Sequence, residues 1–183
     1  GVYVFPGPNA HSYYCGIDGQ TILGTTDDFK HTIVVTPQNN QVGATFLSPW
    51  SVDRTNPNHL IAAAGNVDQT VDGMKSDTFD PTYTELLNST WQTVYSPPKP
   101  PHGAWDSSAV YTQGKVSYVA MCSVCRPSLS TDSASHPETV VSRIVTNVKQ
   151  NCQAGLASSK CWHMAASKGL PHQQVSEIAV DPH

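Results

Sequence analysis

Apolar positions fall in short runs that alternate with polar ones far more often than they recur at helical spacing, and this pattern predicts strands. The middle of the chain is clearest. Trp50-Ser-Val-Asp53 reads as a short strand entering the turn Arg54-Thr-Asn-Pro-Asn58. His59-Leu-Ile-Ala-Ala-Ala-Gly65 is almost entirely apolar, the mark of a strand covered on both faces. Val67-Asp-Gln-Thr-Val-Asp72-Gly73 alternates and ends in the Asp-Gly pair of a tight hairpin. Trp91-Gln-Thr-Val-Tyr95 supplies a fourth strand, and Pro97-Pro-Lys-Pro-Pro101 ends it, since proline cannot donate to a ladder.

The same grammar is predicted on either side. Downstream it runs Ala109–Thr112, Lys115–Met121, Pro127–Asp132 and Cys161–Ala165, closing with the turn Gly169-Leu-Pro171. Upstream only the later members are legible: Val2–Phe5, Thr21–Asp27 and His31–Val35. Asp27, Asp72 and Asp132 follow strands in corresponding places. A repeat of roughly 40 to 50 residues built from four short strands is the pattern of a β-propeller blade. The alternative is a β-sandwich, which does not require the repeated strand–Asp–turn phrase. One short surface helix is predicted at Asp80–Leu87, with Asp80 as N-cap and Pro81 in the first helical position.

Composition narrows the partners. The chain has 183 residues, 10 Lys plus Arg against 14 Asp plus Glu, and a net charge of -4, which argues against a phosphate-backbone binder and so against nucleic acid. No run approaches the roughly 18 apolar residues of a membrane-spanning helix. Charged residues are only 13%, about half the usual share, and Ser and Thr carry the polarity instead. This is the profile of a β-rich, secreted or extracellular chain. The start, at Gly1 inside a strand pattern, reads as a processed or excised end. The finish, Val175–His183, reads as the first strand of a further unit.

Candidate chemistry is sparse. Of five cysteines, Cys122 and Cys125 form a C-x-x-C pair, while Cys152 and Cys161 flank a small-residue loop. The spacing of the second pair is too wide for a usual structural zinc site, and the C-x-x-C ends an alternating strand instead of opening a helix. These four are disulfide candidates, with a metal site and free thiols as the other readings. Asn88-Ser-Thr90 is a formal glycosylation acceptor. Trp50, Trp91 and Trp162 lie in strand phrases and are assigned to packing; Trp105, between Gly103 and Asp106, is assigned to a loop as a candidate binding platform. His31, His102, His163 and His172 have no partner at triad or ligand spacing. No cofactor or metal is called.

The segments resemble the sialidase-like, Asp-box (BNR-repeat) propellers of secreted bacterial proteins. Trp50-Ser-Val-Asp-Arg-Thr-Asn-Pro-Asn-His-Leu-Ile61 is similar to the family's "A-V-D-P-x-N-P" opening phrase, and Ile178-Ala-Val-Asp-Pro-His183 to a second copy. Trp162–Pro171 resembles its "W-x-x-x-x-x-x-G-L-P" strand and turn. The box motif itself is degenerate at Thr70-Val-Asp72-Gly73, Thr25-Thr-Asp27 and Ser130-Thr-Asp132. The resemblance implies that Asp27, Asp72 and Asp132 are structural, each carboxylate holding a hairpin between two outer strands. A sialidase of this family uses three arginines on its substrate; Arg54, Arg126 and Arg143 are the only arginines here, and the contexts of Arg54 and Arg126 do not match. A propeller glycosidase needs two facing carboxylates, and no spacing pairs Glu85, Glu138, Glu177, Asp18, Asp53, Asp68 or Asp106.

The sequence therefore predicts an all-β chain, one propeller segment of about three four-stranded antiparallel blades in a permuted cut. The blades fall at 1–47 (incomplete), 48–101 and 102–171, with 172–183 opening another. The expected function is a secreted module binding glycans or protein partners. A fragment of a glycoside hydrolase and a subunit of an extracellular filament are the alternatives, and enzymatic activity is left open, leaning against. Three blades leave two sheet faces bare, so further blades are expected from another chain, a second copy or polypeptide outside this sequence.

Overall fold

The computed structural model describes residues 3–17, 21–37, 50–63, 66–74, 91–96, 104–111, 116–122, 142–146, 162–165 and 178–179. Twelve strands occupy this part, and no helix occurs among the described residues. The first sheet holds β1 (Tyr3–Pro6), β2 (Tyr13–Ile17), β3 (Thr21–Thr25) and β4 (Ile33–Val34). The second holds β5 (Trp50–Val52), β6 (Leu60–Ala63), β7 (Val67–Thr70) and β8 (Gln92–Tyr95). The third holds β9 (Ala104–Tyr111), β10 (Val116–Cys122), β11 (Ser142–Thr146) and β12 (His163–Met164). Every pair is antiparallel, and each sheet runs through its strands in chain order.

Three sequence expectations are corrected. The first sheet is complete, because Tyr13–Ile17 forms the strand that the sequence pattern did not reveal. The third strand of the third sheet is Ser142–Thr146 and not Pro127–Asp132, since it is β11 that pairs with β10. Trp105 lies within β9, not in a loop: it pairs with Met121 beside a shift in register that leaves Asp106 of β9 unpaired in the ladder. The expected helix at 80–87, Asn88, Cys125, Asp132, Cys152 and Cys161 lie outside the described residues.

The three sheets share one pairing register. In the first, Tyr13 pairs with both Pro6 and Thr25. In the second, Leu60 pairs with Val52 and Thr70. In the third, Tyr118 pairs with Ala109 and Thr146. A threonine thus closes the third strand of every sheet, and Thr25, Thr70 and Thr146 are all buried.

The core forms where the first two sheets meet. Tyr14, Ile22 and Val35 of the first pack with Val52, Leu60, Ala62 and Met74 of the second. Tight approach is set by small residues. Trp50 lies over Gly16, where a Cβ would stand 2.6 Å from the indole nitrogen, and its ring meets Phe5 edge-on at 4.8 Å. Trp91 joins the sheets by a polar contact, its indole N–H donating to the Val35 carbonyl at 2.8 Å. The sequence assignment of these two tryptophans to packing matches their position. All of β6 and β7 is buried, so these two inner strands are covered on both faces, and β9 runs against β5 and β6.

Candidate functional site

Strands β1 and β3 run the same way, so the loops that leave them gather at one end of the first sheet; β5 and β7 do the same in the second. The turn after β3 begins with Thr25. Its hydroxyl donates to Asp27 Oδ1 at 3.0 Å and accepts the backbone N–H of Asp27 and of Phe29, at 3.3 and 3.0 Å. The Asp27 carboxylate then crosses the turn, accepting the His31 backbone N–H at 2.9 Å and the His31 Nδ1–H at 2.5 Å. Hydrogen bonds from the His31 side chain and then its backbone hold the Asp27 carboxyl down at about 2. Asp28 and Phe29 sit at φ 58° and 63°, the left-handed region that bulky residues rarely enter.

The turn after β7 repeats this arrangement. The Thr70 hydroxyl donates to Asp72 Oδ1 and accepts the Asp72 N–H at 3.3 Å. Gly73 stands where Asp28 stands, also at positive φ (23°). A Cβ there would meet the Tyr14 hydroxyl at 2.4 Å and the Asn58 backbone at 2.9 Å, so glycine is required twice over. Asp27 and Asp72 are therefore hairpin carboxylates in equivalent places. Beyond Thr146, which closes the third strand of the third sheet, the sequence carries no aspartate two residues on.

The neighbouring loops also correspond. Between β1 and β2, Gly7 N–H donates to the Ser12 carbonyl at 2.8 Å and Ser12 N–H to that of Asn9 at 3.0 Å. Between β5 and β6, Asp53 N–H donates to the His59 carbonyl at 2.9 Å and His59 N–H to that of Asn56 at 2.7 Å. The second loop adds a buried carboxylate. Asp53 Oδ1 accepts the N–H and hydroxyl of Thr55 at 2.8 and 2.9 Å and the Asn56 N–H at 3.3 Å, while Oδ2 accepts His59 Nδ1–H at 3.1 Å. Both side chains are buried, and His59 Nε2 has no partner. The sequence placed Asp53 in a blade-opening phrase and among the carboxylates that no spacing pairs; the Asp–His pair across that turn is the signal it overlooked.

What faces outward at this end is mostly polar, with Phe29 as an exposed aromatic among it. Asn9, Ala10, Arg54 and Thr55 are exposed, and the exposed His11 pairs with Asp28 at 2.8 Å. Among the described residues no three His, Cys, Asp or Glu side chains gather as a metal set. Asp68 is the other unusual carboxyl. It is buried in β7, accepts the Thr93 hydroxyl at 2.6 Å through Oδ1, and leaves Oδ2 without a partner. Burial pushes its carboxyl above the ordinary range.

The other predicted residues are dispersed. Cys122 ends β10, and Cys15 in β2 is a free thiol, raised by burial. His163 is half-buried in β12, with Nδ1 lacking a partner. Trp162 is buried, as its packing assignment requires. Arg143 belongs to β11, far along the chain from the exposed Arg54. No family model matches the chain, and no curated protein or solved structure matches it either.

Proposed function

We propose that this chain is a propeller-type module of the Asp-box kind, acting outside the cell to bind glycans or protein partners through its loops. The observation that supports it is the repetition itself. Independent stretches of sequence fold into four-stranded meanders of one register, and two of them close their third strand with the same Thr-x-Asp turn. Rigid sheets of this kind hold loops in fixed positions, and recognition then belongs to the loops. The groups placed to meet a ligand are His11, Asp28 and Arg54, with His31 beside them. They are hydrogen-bonding side chains suited to hydroxyl groups or polar peptide surface.

A glycoside hydrolase gains one observation, the raised carboxyl of Asp68, since a general acid needs a proton near neutral pH. Yet Asp68 is sealed within the sheets and its accepting oxygen is bonded to Thr93, so a sugar does not reach it. The deciding experiment presents the full chain to a glycan array and, in parallel, to a panel of polysaccharides. Binding that is weakened by His11→Ala or Arg54→Ala, without release of reducing sugar, is the expected result. Release of reducing sugar that Asp68→Asn abolishes would replace this reading with the hydrolase.

A further inference from the structure

The turns after β3 and β7 match as far as the aspartate and part company beyond it. Gly73 takes positive φ at no steric cost, and Met74 after it is buried in the core, against Gly7 and Gly24 of the first sheet. In the first sheet two residues with side chains, Asp28 and Phe29, take that conformation in succession, and both are exposed. Aspartate tolerates the left-handed region, whereas phenylalanine is costly there. The turn holds it nonetheless. Thr25 Oγ1 accepts the Phe29 N–H at 3.0 Å, the His11 carbonyl accepts the Asp28 N–H at 3.0 Å, and the Asp27 carbonyl accepts that of Lys30 at 3.3 Å. Strain retained in this way on a surface turn points to what the side chain meets, since the fold has a cheaper residue for the same backbone.

The result is a platform. Phe29 lies on Tyr13 with ring centroids 5.7 Å apart and planes 14° from parallel, so one face is stacked while the ring stays 43% exposed. Tyr13 is itself fixed, its hydroxyl donating to the Ala10 carbonyl at 3.4 Å. Ser12 pins that loop, its hydroxyl accepting the Asn9 N–H at 2.6 Å and donating to the Asn9 carbonyl at 2.7 Å. The His11–Asp28 pair adjoins the platform, Asp28 next to Phe29 in the chain and His11 two residues before Tyr13. His11 Nδ1 meets Asp28 Oδ2 at 2.8 Å, on side chains 72% and 51% exposed. Among the described residues, His11 Nε2 and Asp28 Oδ1 carry no hydrogen bond.

We infer that Phe29 is the stacking platform of a sugar subsite, with His11 and Asp28 as its hydrogen-bonding edge, and that its ligand is a neutral, β-linked pyranose. The inference deepens the binding reading above and rests on it. A ring bordered by unused polar atoms fits a ligand that is apolar on one face and polar around its rim. A pyranose is divided in that way. In a β-glucoside the axial hydrogens on C1, C3 and C5 line one face, and the hydroxyls stand equatorially around it. Those weakly positive hydrogens suit the negative face of an aromatic ring. An α linkage puts an oxygen on that same face. At the edge, Asp28 Oδ1 accepts from a hydroxyl and repels an anionic sugar. The ring and the pair are both held before any ligand arrives, so binding gives up little side-chain freedom.

Saturation-transfer NMR and calorimetry on the full chain test it, with cellotetraose as the β-linked probe and maltotetraose as the α-linked one. Cellotetraose should bind with the strongest transfer at the hydrogens on C1, C3 and C5, and maltotetraose several-fold more weakly. Phe29→Gly removes the ring and relieves the backbone, so it should leave the thermal midpoint unchanged or higher while weakening cellotetraose about tenfold. Phe29→Tyr keeps the ring and should bind as the parent does. A midpoint several degrees lower in Phe29→Gly would overturn the inference, because the ring would then be packed by polypeptide and serve the fold. Equal affinity for the two sugars would overturn the assignment to the β-linked class. Cellotetraose binding that Phe29→Gly leaves intact would defeat this subsite alone and leave the binding reading standing on other loops. No transfer to either sugar would also defeat the subsite, and a blank glycan array beside it would take the glycan reading down as well.

Discussion

Asp27 and Asp68 are carboxyls of one chemistry that neighbouring groups drive in opposite directions. His31 hydrogen bonds hold Asp27 at about 2, below its unfolded value of 3.8. Its contribution to stability is therefore present above about pH 4 and fades as pH falls toward 2. A carbon-detected titration of the Asp27 carboxyl should show a midpoint near 2, and His31→Ala should return it toward the ordinary value. Asp68 carries the opposite sign. Its folded state holds the proton more tightly than the unfolded chain, so stability is greatest at low pH and is lost as pH rises through the raised value. Asp68→Asn should raise the thermal midpoint at pH 7, by about 1 kcal/mol of unfolding free energy. That gain should shrink as pH is lowered into the carboxylate range; an unchanged gain at pH 4 would remove the electrostatic explanation.

At the scale of elements, turns and close approaches decide what the strands can do. The β5–β6 loop depends on Asp53, which no solvent reaches and which four donors satisfy. Asp53→Ala leaves buried N–H groups and an imidazole stranded and should cost about 3 kcal/mol in a denaturant titration. Gly16→Ala drives a methyl into the rigid Trp50 ring and should cost about 1–3 kcal/mol. Gly24→Ala meets chiefly the Met74 sulfur at 2.7 Å, and a flexible thioether can turn aside, so its cost should be smaller. Equal losses would show that the indole moves as freely as the thioether. These elements were partly legible in the sequence. The strands of the second sheet followed from alternation, an apolar run and an Asp-Gly turn. Strand β2 was hidden because Tyr13-Tyr-Cys-Gly-Ile17 does not alternate, its glycine being set by the tryptophan of another sheet. Strand β11 was misplaced because Ser130-Thr-Asp132 echoes the turn motif. It is the buried threonine that marks the position, with or without an aspartate. The Asp–His contacts were illegible for a plainer reason: a loop brings together residues whose spacing carries no periodic signal.

Across the whole molecule, burial is uneven. The inner strands β6 and β7 of the second sheet are buried throughout, while β1 of the first sheet is largely exposed. Native-state hydrogen exchange should accordingly be slowest at the amides of β6 and β7 and fastest in β1, the order being set by which backbone bonds water can reach. Protection of β1 equal to that of β7 would mean that the first sheet is already capped.

The register also survives a large disparity in spacing. The chain goes from third to fourth strand between Thr25 and Ile33 in one sheet, between Thr70 and Gln92 in the next, and between Thr146 and His163 in the last. Length added after the hairpin threonine leaves the ladder on either side in step. That crossing is the natural port for grafting: a foreign epitope or affinity tag spliced there would ride on the rim while the lattice of strands beneath it keeps its alignment.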